Sequence, residues 1–479
     1  MSRAVEPEVN EEPRSFKAEV WDQTCLALPI CAGLLSTQVV NTVSTVLVGH
    51  LGARDLAAVG LAVSLANVTG YSVMVGVATT LGTTAGQAFG ARHFQEVSLG
   101  LQRCVLLCCA FLILVGAMWF NSHRLLLLVG QEEIIAAMAA KYLRILFPGL
   151  CCFMVTQCLQ NWLAAQRVTG IQASSGALLA LVHLPLCWYL VHQMGYLGAA
   201  IATSVGNFLR MLWVIFKTCR ALRDLENSWQ GLSKLALRGW PQFLRLAVPN
   251  FLMISEWWAA EIIVLLAGTL PGAEVSLTAM AIFSNTCSSC FYFPCGLAVA
   301  TNTRVSNELG AGRWASARFA SNVSLLLGLG LVCCTSLAVL LGRGLWLRLF
   351  TSDRTVDSVA EPVLLICAAY VVLDGLTIVL CGALKGCGRQ MLQAPIVVAS
   401  YYLLGIPFAY FMAWPCHLKT FGLSLGALLG TLGNFLGFAL LVLCTDWRRM
   451  AELVAQGTAQ GVATARGAKR GSGAGLLEG

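Results

Sequence analysis

The stretch RALRDLENSWQGLSKLALRGWPQFLR, residues 220–245, is the longest polar break among the apolar segments of this chain. On both sides of it, apolar runs repeat from Cys25 almost to Cys444. An α-helix needs about 20 mostly apolar residues to cross a bilayer, and windows of about 19 residues place six such runs on each side of the break. The sequence therefore predicts an all-α polytopic membrane protein with twelve transmembrane helices in two pseudo-symmetric six-helix lobes.

The organisation predicted around this break has five parts and twelve spans. The parts are a cytoplasmic amino-terminal tail (1–24), a first lobe (25–219), a cytoplasmic amphipathic linker (220–244), a second lobe (245–445) and a disordered carboxy-terminal tail (446–479). The spans lie near residues 25–48, 56–82, 101–121, 139–163, 171–192, 196–219, 245–270, 275–301, 316–342, 357–384, 391–413 and 421–445. In the linker, leucines alternate with basic residues, which is typical of a short helix on a membrane surface; a plain solvated linker is the alternative.

The composition supports the membrane class and argues against others. The 479 residues are 57% hydrophobic and 11% charged, with a mean hydropathy of +0.74, whereas globular domains are about 45–50% apolar and about a quarter charged. The basic residues behind the net charge of +8 are scattered singly, and this pattern differs from the basic stripe of a nucleic-acid-binding surface. The acidic residues of 1–24 are unlike the positive start of a secretory signal, so we expect the first span to be retained.

The basic residues also predict an orientation. Most of the 31 Lys and Arg residues fall in the two tails and in the loops on the same side of the membrane as those tails, although Arg343, Arg348 and Arg354 fall on the other side. Because cytoplasmic loops carry the excess of basic residues, we expect both termini to be cytoplasmic. Either the plasma membrane or the vacuolar membrane is compatible with this pattern.

The two halves of the sequence resemble each other. CGLAVATNTRVSNELGAG (295–312) aligns with VGVATTLGTTAGQAFGAR (75–92) at a shift of 220 residues, and Gly433-Asn434-Phe435 aligns with Gly206-Asn207-Phe208 at a shift of 227. Leu184-Pro185 similarly faces Ile406-Pro407. Transporters are often built from such internal repeats. Six spans per half give both halves the same direction through the membrane.

Three carboxylates are predicted at membrane depth, all in the second lobe. Glu256 and Glu261 lie in FLMISEWWAAEIIVLLAG (251–268), and Asp374 lies in the tenth span. Inserting a charged side chain at the centre of a membrane helix costs about 2.5–3.5 kcal/mol, so such residues mark functional sites by default. Glu256 and Glu261 are about 140° apart around a helix, so one should face a cavity and the other a neighbouring helix. We expect a shared aqueous pocket whose carboxylates titrate; hydrogen bonds to neighbouring helices alone are the alternative.

Other residues are candidates for substrate contact or for bending helices. Trp257 and Trp258 could offer aromatic faces to an organic cation, although tryptophans also pack helices or mark the membrane interface. The other candidate contacts are Gln38, Asn41, Asn285 and Tyr370. Prolines remove a backbone donor and can bend a span so that it lines a cavity, and the candidates for this role are Pro249, Pro185 and Pro407.

No feature of the sequence predicts an enzyme, a cofactor or a metal. The 20 cysteines lie mostly inside predicted spans, where free cysteine acts as a small apolar residue. Cys287 and Cys290 have the spacing of half a zinc site, but no second pair accompanies them. The G-x-x-x-x-G-K-[ST] motif of ATP-binding loops is absent, so ATP is not the expected energy source.

Five motifs, in order along the chain, carry a family resemblance. They are VGHLGARDLAAVGLA, NVTGYSVMVGVATTLGTTAGQAFGA, LAVPNFLMISEWWAAEIIVLLAG, RVSNELGAG and LKGCGRQ. Over about residues 25–445 the chain resembles the multidrug and toxic compound extrusion (MATE) family, and RVSNELGAG resembles its plant-type branch. The resemblance implies a secondary antiporter that exports organic cations and other amphipathic solutes in exchange for protons or sodium.

The resemblance also implies roles for individual positions. Glu256 and Glu261 match the acidic positions of the seventh helix in eukaryotic members, and Asp374 matches that of the tenth helix; together they would form the cation-coupling site. Two departures concern the first lobe. Gly82 stands where the second helix usually carries an acidic residue, and the first helix lacks the aspartate used by some prokaryotic members.

The function predicted from these observations is proton-coupled antiport by alternating access. The expected partners are small organic solutes, protons or sodium, and the lipid bilayer, with the protein acting as a monomer. A sodium-coupled exporter is one alternative. A flippase for lipid-linked oligosaccharides is another, but it would need basic residues for phosphate, and only Arg210 lies at depth. A membrane receptor or scaffold would need larger outer loops.

Overall fold

The computed structural model describes residues 15–128, 130–225, 228–350 and 354–457. Within these ranges the chain is helical almost throughout and contains no β-strand. Eleven helical segments there are long and apolar enough to cross a membrane. The remaining predicted span, the eighth along the chain, corresponds to a 38-residue helix, Ala273–Gly310, which carries more polar residues than the others. The all-α class and the twelve-span pattern are therefore confirmed.

The first six predicted spans correspond to nine helices. They are α1 (Phe16–Gly49), α2 (Ala53–Ala66), α3 (Ser72–Ala78), α4 (Thr80–Gly90), α5 (Phe94–Phe120), α6 (Ser122–Leu128), α7 (Glu133–Ala165), α8 (Gly170–Met194) and α9 (Tyr196–Ala221). A π-helical turn at Asn67–Tyr71 joins α2 to α3, so α2, α3 and α4 make up the second span. Pro185 lies inside an unbroken α8.

The second half continues the same plan. Its helices are α10 (Trp240–Met253), α11 (Ser255–Ala267), α12 (Ala273–Gly310), α13 (Trp314–Phe350), α14 (Arg354–Gly386), α15 (Gln390–Val398), α16 (Ile406–Ala413) and α17 (Lys419–Leu443). Pro249 lies within α10, and the seventh span is interrupted at Ile254, between α10 and α11. In the eleventh span, a π-helical turn at Ala399–Gly405 precedes Pro407 in the first turn of α16.

The described chain forms two compact units whose boundaries lie inside helices. Residues 28–247 with 456–457 form the amino-terminal unit, and residues 15–27 with 248–455 form the carboxy-terminal unit. These boundaries differ from the predicted ones at 24/25 and 219/220, because the first three turns of α1 belong to the carboxy-terminal unit. There Leu26 and Ala27 pack against Leu297, Ala300 and Val379.

Two segments between and after the spans differ from expectation. In the described part of the linker, residues 228–239 contain only a short 3₁₀ turn at Lys234–Leu237 instead of an amphipathic helix. The linker backbone is hydrogen-bonded to Gln102 on α5, whose Nε2 donates to Gly231 O at 2.9 Å and whose Oε1 accepts from Ser233 N at 2.9 Å.

After α17, residues 447–457 are helical where a disordered tail was expected. Residues 458–479 lie outside the described ranges.

The two halves end equivalent helices with the same backbone motif. His93 N bonds Ala88 O at 2.8 Å, and Arg313 N bonds Glu308 O at 2.9 Å, a six-residue closure typical of Schellman caps. The left-handed residue of each cap is Arg92 (φ 58°) in the first half and Gly312 (φ 77°) in the second. These positions are 220 apart, so the repeat found in the sequence extends to backbone geometry.

A buried ion network holds the start of α1 in the carboxy-terminal unit. Arg304 Nε and Nη2 donate to Glu19 Oε1 and Oε2 at 2.9 and 2.6 Å, and Arg304 Nη1 donates to Glu308 Oε1 at 2.8 Å. Arg313 Nε donates to Glu308 Oε2 at 2.7 Å, and Gln23 Nε2 donates to Glu19 Oε1 at 2.9 Å. The Arg304 and Glu19 side chains are each 1% exposed. The sequence analysis assigned Glu19 to a tail, whereas two-pronged pairing to Arg304 orders it in a helix.

We expect Glu19→Ala to destabilise the protein by about 3–5 kcal/mol, because removing one member of a buried ion pair leaves its partner with an uncompensated charge. The measurement is the thermal unfolding midpoint of the purified protein in detergent micelles. Arg448→Ala provides the control, since the Arg448 and Glu452 side chains are 78% and 61% exposed and exposed pairs contribute about 0–1 kcal/mol. Equal shifts in the two variants would contradict a structural role for the buried network.

A stripe of glycines on α17 allows close packing against the eleventh span. Gly422, Gly426 and Gly430 are spaced four apart, as in the small-residue faces that bring membrane helices together. A Cβ at Gly426 would overlap the backbone of Ala409 on α16, and a Cβ at Gly430 would lie 3.0 Å from the Tyr401 ring. The stripe therefore fixes the position of Tyr401 relative to α17.

We expect Gly426→Ala to destabilise the protein by about 1–3 kcal/mol, as overpacked cores do. Gly330→Ala is the matched control, because Gly330 lies inside α13 and a Cβ added there would have no atom within 4 Å. Alanine favours a helix over glycine by about 0.5–1 kcal/mol, so this control should be neutral or stabilising. Thermal unfolding in micelles measures both, and the same sign of shift in both variants would refute the close-packing explanation.

Candidate functional site: an acidic cluster in the carboxy-terminal unit

Glu256 lies in the first turn of α11, directly after the interruption of the seventh span. Its Oε1 accepts a hydrogen bond of 2.6 Å from the Tyr401 hydroxyl, which belongs to the π-helical turn of the eleventh span. The Tyr401 hydroxyl also lies 3.2 Å from Thr431 Oγ1 on α17. Three separate spans therefore converge on the carboxylate of Glu256.

Asp374 belongs to the same cluster. It lies in the middle of α14 and is 7% exposed. Its charge interacts with that of Glu256, and both charges act on Tyr370 and Tyr401. Lys385, in the last turn of α14, brings a positive charge within electrostatic range of Glu256. The two predicted carboxylates of the seventh and tenth spans are thus brought together.

Glu261 is placed differently from the other two carboxylates. It lies five residues after Glu256 on α11 and is exposed at the surface of the chain, beside Ala260 and Ile262. Residues five apart point about 140° away from each other around a helix, which agrees with the different burial of Glu256 and Glu261. The structure therefore groups Glu256 with Asp374 and leaves Glu261 on another face of α11.

Sequence reasoning missed three residues of this cluster and one buried amide near it. Tyr401, Thr431 and Lys385 are 145, 175 and 129 positions beyond Glu256 in the chain, and nothing local to them signals a carboxylate partner. Asn434, one turn after Thr431, is fully buried, and neither its side-chain oxygen nor its nitrogen has a hydrogen-bond partner among the described residues. The repeated Gly-Asn-Phe tripeptide was the available signal for Asn434.

The predicted aromatic contacts pack with other rings. Trp257 is 46% exposed and meets the Phe291 ring edge-on at 6.1 Å, and Trp258 meets the Phe251 ring at 5.8 Å. The Tyr370 ring packs on that of Phe283 at 5.5 Å, while its hydroxyl interacts with Thr431. Tyr370 is therefore part of the acidic cluster, whereas the two tryptophans make their ring contacts away from it. Asn285 is exposed on α12 and donates to Ala281 O at 2.8 Å.

The amino-terminal unit has a different polar interior. Ser44 Oγ lies 2.7 Å from His183 Nε2, and the buried Arg210 donates to Thr37 Oγ1 at 3.4 Å. Gln38 is half-buried and Asn41 is exposed on α1. Gly82 is buried within α4, where the resemblance would place an acid. The described part of this unit contains no carboxylate cluster comparable to Glu256 and Asp374.

The arrangement of the acidic cluster determines which chemistry it supports. The Glu256 carboxylate accepts one hydroxyl donor and has one lysine within electrostatic range, while Asp374 adds a second negative charge, so the negative charge of the cluster is only partly compensated. Such a site can gain a proton or a cation at moderate cost, since a carboxylate at membrane depth is costly unless it is paired.

A polytopic helical fold with acidic residues buried inside its apolar helices is typical of a membrane transporter, and comparison with known proteins identifies the family. The MatE family model matches residues 29–189 and again residues 250–411, so each half of the chain matches it once. The chain belongs to the MatE family of transporters and is not an enzyme. Both matched segments start beside a proline, Pro29 and Pro249, as the internal repeat requires.

Individual relatives agree with this assignment. The chain is 34% identical to Protein DETOXIFICATION 16 of Arabidopsis thaliana, over 92% of this chain and 91% of the relative. It is also 34% identical to Protein DETOXIFICATION 12 of the same plant, over 91% and 92%. Among solved structures, that of the eukaryotic MATE transporter AtDTX14 matches with a TM-score of 0.87 and 30% identity, covering 92% of this chain and 99% of that one.

We expect Tyr401→Phe to destabilise the protein by about 1.5–3 kcal/mol near neutral pH, the range for hydrogen bonds to charged groups. The difference from the parent protein should shrink as the pH is lowered, because a protonated Glu256 is a weaker acceptor. Thermal unfolding in micelles at several pH values measures it. Tyr402→Phe is the matched control: its hydroxyl donates to the neutral Ser255 O at 3.0 Å, so its effect should not vary with pH. A pH-independent effect of Tyr401→Phe would contradict a charged Glu256 acceptor.

Proposed function

We propose that the protein is a proton-coupled antiporter that exports organic cations or amphipathic secondary metabolites. In this proposal Glu256 and Asp374 form the coupling site. The single observation that carries it is the interaction between the charges of these two buried carboxylates, of which Glu256 accepts a hydrogen bond from the Tyr401 hydroxyl and has Lys385 as a nearby basic group. The names of the plant relatives, which refer to detoxification, support an efflux role.

Coupling follows from competition for the same negative charge. An organic cation is held while Glu256 and Asp374 are ionised. Protonation from the opposite side of the membrane removes that charge and releases the cation. The protonated site, now without its organic cation, then releases the proton to the cytoplasm and binds another cation. Proton and cation therefore cross only in exchange for each other. Tyr401 keeps Glu256 positioned in both states because its hydroxyl can donate to either form of the carboxyl group.

Glu261 has a separate role in this proposal. It lies on an exposed face of α11, so it can attract cationic solutes without sharing a proton with Asp374. Trp257 is also exposed and can offer its aromatic face to a cation. Such a cation–π contact contributes about 0.5–2 kcal/mol to binding. These residues would determine affinity, whereas Glu256 and Asp374 would determine coupling.

Alternating access requires the two units to move. The two helices that contain the unit boundaries each carry a proline at which the helix can bend. Pro29 follows the boundary in α1 and Pro249 follows the boundary in α10. Because proline lacks the backbone donor, a helix bends more readily at these points. We propose that both helices flex there, with residues 220–244 as the connecting linker. In this proposal the protein resides in the plasma membrane or the vacuolar membrane, with both termini in the cytoplasm. It functions as a monomer.

The test is transport in vesicles of defined composition. The purified protein is reconstituted, and export of a fluorescent organic cation is followed with and without an imposed pH gradient. We expect the gradient to accelerate transport, and Glu256→Gln and Asp374→Asn each to abolish the acceleration, because neither amide can exchange a proton. Glu261→Gln should retain gradient dependence and lower the apparent affinity for the cation.

Two results would refute the proposal. One is transport that is independent of the pH gradient, and the other is full gradient dependence in Glu256→Gln or Asp374→Asn. Replacing the pH gradient by a sodium gradient distinguishes proton from sodium coupling. A panel of cationic, anionic and neutral solutes then defines the substrate class, with organic cations expected to compete best for a site of net negative charge.

A further inference from the structure

Three cysteines and one methionine of the amino-terminal unit bring their sulfur atoms together between α5 and α7. Cys104 Sγ lies 3.7 Å from Cys158 Sγ, which lies 4.0 Å from Cys108 Sγ. The three sulfur atoms are all within 4.8 Å of one another. Met154 Sδ lies 3.9 Å from Cys158 Sγ. The transport function proposed above uses none of these residues.

The spacing of these residues along their helices explains the cluster. Cys104 and Cys108 are four apart on α5, and Met154 and Cys158 are four apart on α7, so each pair lies on one helix face. The three cysteines are 0% exposed and Met154 is 4% exposed. Cys104 Sγ also lies 3.8 Å from the carbonyl oxygen of Val77 on α3. Four soft donor atoms are thus held by two rigid helices away from solvent.

The distances fit a metal ion bound by three sulfurs. If each sulfur lay about 2.3 Å from a central ion in a trigonal plane, neighbouring sulfurs would be about 4.0 Å apart. The separations of 3.7 and 4.0 Å match this value, and the third pair of sulfurs lies within 4.8 Å. They are also far longer than a disulfide bond of about 2.05 Å, so the described geometry is that of separate thiols.

The donor set favours a soft monovalent ion over zinc. Structural zinc sites are closed by four ligands drawn from cysteine, histidine and carboxylates, and here the fourth donor is a thioether. Soft thiolate and thioether ligands suit Cu(I), whereas thioether is not among the usual ligands of zinc.

We propose that Cys104, Cys108 and Cys158 form a binding site for Cu(I), with Met154 as an additional weak donor. The bound ion joins the third predicted span to the fourth through α5 and α7. It acts as an internal cross-link of the amino-terminal unit and is separate from the acidic cluster that carries the proposed transport. Binding requires ionised thiolate and therefore releases protons.

The test uses the full chain in detergent micelles, reduced and stripped of metal, and titrated with Cu(I) against a colorimetric Cu(I) chelator. We expect the parent protein to retain one more equivalent of Cu(I) than Cys158→Ser and to show a higher unfolding temperature when that equivalent is bound. Cys152→Ser is the matched control, because Cys152 lies on the same helix, half-buried and outside the cluster. It should retain the same equivalent as the parent protein.

X-ray absorption at the copper edge provides a second measurement that does not depend on the variants. Three sulfur neighbours at a single distance would support the site, and a shell with fewer than three would overturn it. Equal Cu(I) retention by the parent protein and Cys158→Ser would also overturn it, as would binding of Zn(II) that Cu(I) fails to displace. If Cys158→Ser does not fold, Cys104→Ser on α5, with Cys109→Ser as its control, gives the same comparison.

Discussion

A buried carboxylate must be compensated, and this protein compensates its buried carboxylates in two different ways. In the ion network, Glu19 and Glu308 face Arg304 and Arg313 through direct hydrogen bonds, so two negative charges meet two positive ones. In the acidic cluster, Glu256 receives a hydroxyl from Tyr401 and shares its surroundings with Asp374. The first arrangement is neutral and rigid, whereas the second retains negative charge that a proton or a cation can neutralise. This difference separates a structural site from the proposed coupling site.

The packing of the carboxy-terminal unit keeps the acidic cluster in place. The glycine stripe of α17 brings that helix close to the eleventh span, where Gly430 lies against the Tyr401 ring and Gly426 against Ala409. The same approach places Thr431 within 3.2 Å of the Tyr401 hydroxyl. A side chain larger than hydrogen in the stripe would move the hydroxyl that holds Glu256. The small residues of α17 therefore serve the site as well as the fold.

The internal repeat supplies a common scaffold that the two halves use differently. Equivalent helices end in the same backbone cap, and the MatE model matches each half once. The second half carries the buried carboxylates, whereas the first half carries Arg210, His183 and the sulfur cluster of α5 and α7. At two cap positions the first half even retains arginine in the left-handed region, at Arg92 and Arg167, where the second half has Gly312 and Gly388. Backbone geometry has been kept while the side-chain chemistry of the halves differs.

The sequence by itself determined the membrane class, the twelve spans, the division into halves and the presence of three carboxylates within the spans of the second half. These properties depend on hydrophobicity over about 20 residues, on helical periodicity and on motif order, all of which are local along the chain. Only the tertiary structure decided that Tyr401 reaches Glu256, that Glu19 pairs with Arg304 and that Glu261 lies apart from Asp374. It also decided that the first turns of α1 belong to the carboxy-terminal unit. Such pairings join residues as far as 285 positions apart, and they follow from how helix faces pack, which no local pattern encodes.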